Sequence, residues 1–169
     1  MKGIWKLIFE ILPTWLAIAS VATILSLLVY ASVQQNYRQS ANDPQIQIAE
    51  DLAQSLSTGT MSTASFGPLP KIDIGKSLSP FLIIYDKDGK VIAGNASIDG
   101  ETPTVSKGVL DHAQKAGENR VTWEPKKDIR NAIVVVPFKG SNEGFVIIGR
   151  SLREVEKREN RLSLFVLLA

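Results

Sequence analysis

Ile11 to Ala31 reads ILPTWLAIASVATILSLLVYA, 21 consecutive residues without a charge. At the helical rise of about 1.5 Å per residue, such a run reaches about 30 Å, the thickness of a hydrocarbon core. Pro13 falls in its first turn, where a missing N–H does little harm. Trp15 and Tyr30 stand near its two ends, where interfacial aromatics concentrate. A buried helix of a soluble core is the competing reading, but such helices usually carry charge on one flank. A cleaved signal peptide is the nearer competitor. Its apolar core is typically about 7–15 residues and ends at an A-x-A-like site. This run is longer and no such site follows it, which favours an uncleaved anchor.

Lys2 and Lys6 precede the span, and Arg38 alone carries charge in the ten residues after it. The positive-inside bias therefore expects residues 1–10 in the cytoplasm, a transmembrane helix over 11–31 and an extracytoplasmic domain over 32–161 of an inner-membrane protein. At the other end, GFVIIGRSLREVEKRENRLSLFVLLA (Gly144 to Ala169) passes from strand-like residues into a charged helical segment. It ends in eight uncharged residues, 162–169, read as the start of a second, incomplete membrane helix, because a full span needs about 20 residues.

Between the two, Gln34 to Ser57 reads as helix in two parts. Asp43-Pro44 supplies a start signal, and Ile48, Ala49, Leu52, Ala53 and Leu56 form one apolar stripe. Thr58 to Pro70 is rich in Gly, Ser, Thr and Pro and reads as loop. Ile72 and Ile74 alternate briefly. Phe81–Tyr85 and Val91–Ala93 flank the Asp86-Lys-Asp-Gly89 turn as a hairpin. A helix over Thr104–Ala116 ends at Gly117. Arg120–Glu124, Asn131–Phe138 and Gly144–Ile148 read as three further strands. Tight turns between successive strands predict an α+β domain with an antiparallel sheet of about five strands.

These residues carry a family resemblance. A long membrane-proximal helix, then an apolar strand ending in Tyr85-Asp86-Lys87-Asp88-Gly89-Lys90-Val91-Ile92-Ala93, resembles the extracytoplasmic PAS-like sensor domains called Cache domains. Those domains lie between two membrane helices in bacterial sensor histidine kinases and chemoreceptors. Gly149-Arg150-Ser151-Leu152-Arg153-Glu154-Val155-Glu156, leading to Arg161-Leu162, is similar to their last strand and exit helix. Tyr37-Arg38-Gln39-Ser40-Ala41-Asn42-Asp43-Pro44-Gln45 is similar to the start of small two-span membrane proteins of this type. The resemblance covers roughly Tyr37 to Arg161 and implies a PAS/Cache-like fold and a possible homodimer. The chain departs from the receptor pattern in that no kinase, HAMP or methyl-accepting segment follows within the 169 residues.

Enzyme chemistry finds little footing. There is no cysteine and one histidine, so neither a thiol nucleophile nor a zinc site of the usual N/S type is expected, and no cofactor or metal is implied. No G-x-x-x-x-G-K-[ST], G-x-S-x-G or H-E-x-x-H occurs. Lys76-Ser77 and Ser106-Lys107 are not read as hydrolase dyads, since neighbours on a strand face opposite sides. Asp86 and Asp88 lack the further oxygen donors of a calcium loop, because Lys90, Ile92 and Gly94 follow, so they read as a solvated turn. His112 lies in a polar helical stretch and reads as exposed. Lys2 and Lys6 against Glu10 are the charges of the first 31 residues. They leave 17 Lys+Arg against 16 Asp+Glu beyond, which argues against nucleic acid as partner.

The ligand candidates are polar or aromatic residues on apolar strands: Tyr85, Trp123 and Arg130. Arg130 would clamp a carboxylate and Trp123 would stack on it; against this, Trp123 as core and Arg130 as a solvated strand end need no ligand. Glu154 with Arg158 and with Lys157 would stiffen the exit segment as i,i+4 and i,i+3 pairs. The expectation is a non-enzymatic membrane sensor that binds an unknown small molecule or protein partner and moves its exit helix. The alternative is a membrane-tethered interaction or assembly module that transmits nothing.

Overall fold

In the computed structural model, residues 2–40, 43–67, 69–140, 143–158 and 161 are described, with side chains from 11 to 36 and from 44 onward. Two units are distinguished, and Gln39–Lys157 forms one of them. The other contains most of α1 (Lys2–Ser40). Within α1, Ile11–Asn36 is long and apolar enough to cross a membrane, with a mean hydropathy of 2.2 and no part of that stretch buried. Trp15, Leu16, Val21, Leu28 and Val29 all present more than half their surface. A solvated apolar cylinder of this kind is unfavourable in water, at about 0.8 kcal/mol per CH₂ left uncovered. A bilayer span and a signal sequence both satisfy that pattern. Ser20 and Thr23 satisfy their hydroxyls on the carbonyls of Leu16 and Ala19 one turn back, as polar side chains in lipid must.

The second unit is built on one sheet with a helix on each face. Its elements in chain order are α2 (Asp43–Ser57), β1 (Ile72–Asp73), β2 (Phe81–Asp86), β3 (Val91–Gly94), β4 (Ala96–Ser97), α3 (Lys107–Ala116), β5 (Asn119–Lys126), β6 (Ile129–Phe138) and β7 (Gly144–Ser151). A short 3-10 turn, Thr63–Ser65, interrupts the loop after α2. The five long strands form an antiparallel sheet in the order β3-β2-β7-β6-β5. The last strand thus lies at the centre, hydrogen-bonded to β2 on one side and β6 on the other.

Period-two alternation divides the core cleanly. Ile84, Val134, Phe138, Val146 and Ile148 face α2 and pack on Ala49, Ala53 and Leu56, the stripe read from the sequence. Phe81, Ile83, Tyr85, Ile133, Val135, Phe145 and Ile147 face the opposite way, with Leu110 and Ala113 of α3 among them. Each such fully buried large side chain contributes about 1.5–3 kcal/mol, so the two-sided sheet holds the domain without disulfides. β1 and β4 pair in parallel over two residues and add Ile74 and Ala96 to the α3 face.

Boundaries differ from expectation where tertiary contacts decide. α3 starts at Lys107 rather than Thr104, because Val105 N–H is drawn to the Tyr85 hydroxyl and Ser106 is extended. β7 runs on through Gly149 to Ser151, since those residues stay paired to Ile133 and Asn131. Gly149 is required there by a close approach. A Cβ on it would meet Cζ of Phe81 at 2.2 Å and Cγ2 of Ile133 at 2.8 Å. The Phe81 ring lies over this gap. Residues 162–169, read as the start of a second membrane helix, lie outside the described residues.

Candidate functional site

The three candidate ligand residues do not converge. Tyr85 is wholly buried in β2, and its hydroxyl accepts the Val105 N–H at 3.0 Å. Burial pushes its phenol above the ordinary tyrosine value, and the bond from Val105 partly offsets that. It is a pillar between the sheet and the segment leading into α3. Trp123 of β5 is half-buried on the same face, with its ring centroid 6.2 Å from that of Phe81 and tilted by 51°. That geometry lies within the range of favourable aromatic pairs. Trp123 pairs in register with Asn131, so Arg130, one residue earlier, projects from the opposite face. Trp123 and Arg130 cannot flank one ligand.

Arg130 is committed elsewhere. Its Nη1 donates to Oε1 of Glu156 at 2.7 Å, and its carbonyl accepts the Leu152 N–H at 2.9 Å. Residues 153–158 are helical and follow β7 after a single residue, Leu152. Ser151 Oγ accepts the Arg153 N–H at 3.3 Å, in the manner of a helix N-cap. Arg153 Nη2 donates to the Lys76 carbonyl at 3.0 Å, and Lys157 pairs with Glu154 at 2.9 Å as the i,i+3 spacing predicts. The exit segment is therefore held to the domain at three points: the start of β6, the end of β7 and the turn Asp73–Ser77. That turn is internally braced. Asp73 Oδ1 accepts the Gly75 N–H, and the Lys76 ammonium, 3.1 Å from Oδ2, holds the Asp73 carboxyl below its ordinary range.

Sequence reasoning missed one residue at this end of the sheet. Asn131 is 0% exposed, and neither Nδ2 nor Oδ1 has a hydrogen-bond partner. It stands between Trp123 on β5 and Ser151 on β7, both directly opposite it in register. The signal was a polar residue on the inward parity of an otherwise apolar strand. Gln45 in the first turn of α2, 1% exposed, has an unpartnered Oε1 as well.

Elsewhere the polar candidates behave as solvated groups. Asp86 Oδ1 accepts the N–H groups of Asp88 and Lys90 and so shapes the hairpin turn. His112 is exposed on α3. Among the described residues no group of three His, Asp or Glu side chains is placed to hold a metal. No family model matches the sequence, and no curated protein matches it significantly.

Proposed function

We propose that this chain is a membrane-anchored sensor whose extracytoplasmic domain converts binding of a small solute or partner into a movement of its exit helix. One observation carries the reading. The central strand β7, with Phe145 and Ile147 in one core and Val146 and Ile148 in the other, continues after Leu152 into the exit segment. A repacking on either face therefore touches the strand that leads into the exit segment. The α+β architecture, with a helix-covered antiparallel sheet of five strands, supports a PAS/Cache-like assignment. The apolar helix near the N-terminus supports a membrane location, and Lys2 and Lys6 ahead of it favour an inner membrane with residues 1–10 in the cytoplasm. A ligand moves the exit helix only by its differential affinity for two arrangements. The exposed Arg130–Glu156 pair is a fitting switch contact, since such pairs are worth about 0.2–1 kcal/mol and exchange readily.

The absence of cysteine makes the test direct. Spin labels at Gln47→Cys and Lys157→Cys, both exposed positions, report the distance from α2 to the exit segment. The reading expects that distance to shift or broaden in the double variant Arg153→Gln/Glu156→Gln. An unchanged distribution would sink it in favour of a tethered interaction or assembly module. That second reading draws on Tyr85 and Arg130, two of the three ligand candidates, being bonded within the chain itself, to Val105 and Glu156.

A further inference from the structure

The orphaned amide of Asn131 asks for a partner. Folding strips both of its polar atoms of water, and evolution ordinarily fills such positions with an apolar residue or supplies a hydrogen bond. Here neither is done, at the one row of the sheet where Trp123, Asn131 and Ser151 stand side by side. On its face stand Trp123 with the Phe81 ring beyond it, Ile129 two residues earlier on the same parity, and Ser151, while the charges of the adjoining turn, Asp73 and Lys76, are paired with each other. Over Ile129 the chain has been thinned to the minimum. A Cβ on Gly75 would meet Ile129 Cδ1 at 2.8 Å, so the turn Asp73–Ser77 lies directly on that side chain.

We infer that Asn131 is the polar floor of a small binding site, and that its ligand is a neutral molecule with a donor and an acceptor side by side, as in a carboxamide or lactam. A primary amide offers one of each in a plane, so its best complement is another such group. An enclosed ion would forfeit its hydration among Trp123, Phe81 and Ile129, and the charges of the adjoining turn, Asp73 and Lys76, are already paired with each other. The inference rests on the sensor reading and deepens it, because the site adjoins two of the exit-segment contacts. A ligand bound at Asn131 sits beside Ser151, whose Oγ accepts the Arg153 N–H. The ligand is admitted by lifting the turn Asp73–Ser77, whose Lys76 carbonyl is held by the Arg153 guanidinium. Occupancy and the hold on residue 153 are thereby coupled.

The test uses the full chain, isotope-labelled in detergent micelles, titrated with acetamide, 2-pyrrolidinone and acetate while the Asn131 side-chain amide resonance is followed. Acetamide and 2-pyrrolidinone are expected to shift it saturably, with the Trp123 indole following, and acetate to leave it unmoved. Asn131→Leu is expected to bind at least about tenfold more weakly, the equivalent of losing two ordinary hydrogen bonds. Should Asn131→Leu fail to fold, Trp123→Leu, which removes a wall and leaves the amide, is expected to weaken binding and serves in its place. Absence of a saturable shift in the unmodified chain overturns the site and identifies the amide as merely hydrated. Equal affinity for acetate overturns the neutral class. Saturable binding with an unmoved Gln47–Lys157 distance sustains the site and overturns the coupling, whereas no binding with a distance that responds to Arg153→Gln/Glu156→Gln overturns the site alone.

Discussion

Replacing Gly149 by alanine should cost the domain about 2–3 kcal/mol. The added methyl would sit 2.2 Å from Cζ and 2.6 Å from Cε2 of Phe81. Ordinary carbon contacts begin near 3.4 Å, so the ring must retreat by more than about 1 Å in a close-packed interior. It cannot retreat freely, because Ile133 also crowds the added methyl and the Trp123 ring centroid stands 6.2 Å from that of Phe81. Overpacking of this kind costs about 1–3 kcal/mol, and an off-rotamer Phe81 adds about 0.5–1.5 kcal/mol. In a unit of roughly 120 residues that corresponds to a fall in Tm on the order of 10 °C. Phe81→Leu alone should cost about 1–2 kcal/mol through lost contact and a residual cavity. The double variant is the decisive one. With the smaller side chain the methyl is accommodated, so the two costs should fall short of additivity by at least about 1 kcal/mol in urea or thermal unfolding. Strict additivity would show that the Phe81 ring is not what fills the space above Gly149, and the account of β7 as a strand with a notch would be wrong.

Five further outcomes are expected. Tyr85→Phe leaves the buried Val105 N–H unpaired and should cost about 1–3 kcal/mol by thermal unfolding. In the unmodified chain the Tyr85 phenol ionises at higher pH folded than unfolded. Its contribution is therefore intact below about pH 10 and lost as pH rises beyond it, a decline that Tyr85→Phe should reduce. Val21→Arg, at the middle of the apolar helix, should cost about 2.5–3.5 kcal/mol of membrane insertion and move protein from the membrane fraction to the soluble one or to degradation. A cysteine at Gln47 should react with an impermeant maleimide added to intact cells, and protection until lysis would reverse the proposed orientation. Glu156→Gln alone should change stability by less than about 1 kcal/mol, with the difference shrinking further in 1 M salt.

Much of the sheet was legible because its strands are long and its turns chemically explicit. Phe81–Tyr85 and Val91–Ala93 were readable from the Asp-Lys-Asp-Gly turn between them, and the α2 stripe from its three-to-four spacing. The strand order was not legible, since hydrogen bonds between β2 and β7 join residues about sixty apart and no local signal encodes them. β4 escaped because a two-residue strand has no period to read, and β1 showed only as the brief alternation of Ile72 and Ile74. Gly149 looked like the end of a strand and is instead a site of close approach. The candidate site was read by residue type: tyrosine, tryptophan and arginine suggest ligands, and in the structure Tyr85 and Arg130 bond to the protein itself. Asn131 carried the better clue in its position. Its parity matches Ile133 and Val135, whereas Arg130 takes the other, and only the inward one is left without a partner.

The position of β7 also fixes when the domain can come into being. Without residues 144–151, β2–β3 and β5–β6 are separate hairpins with no shared edge. Each shows one open flank, on β2 and on β6, of the kind that recruits stray strands. Chains emerge N-terminus first, so the sheet stays divided until its last strand has been made and delivered. Assembly is then a single insertion that closes both flanks at once. A truncation before Gly144 would not yield a smaller, looser version of this domain; it would yield two sticky hairpins and no core to share.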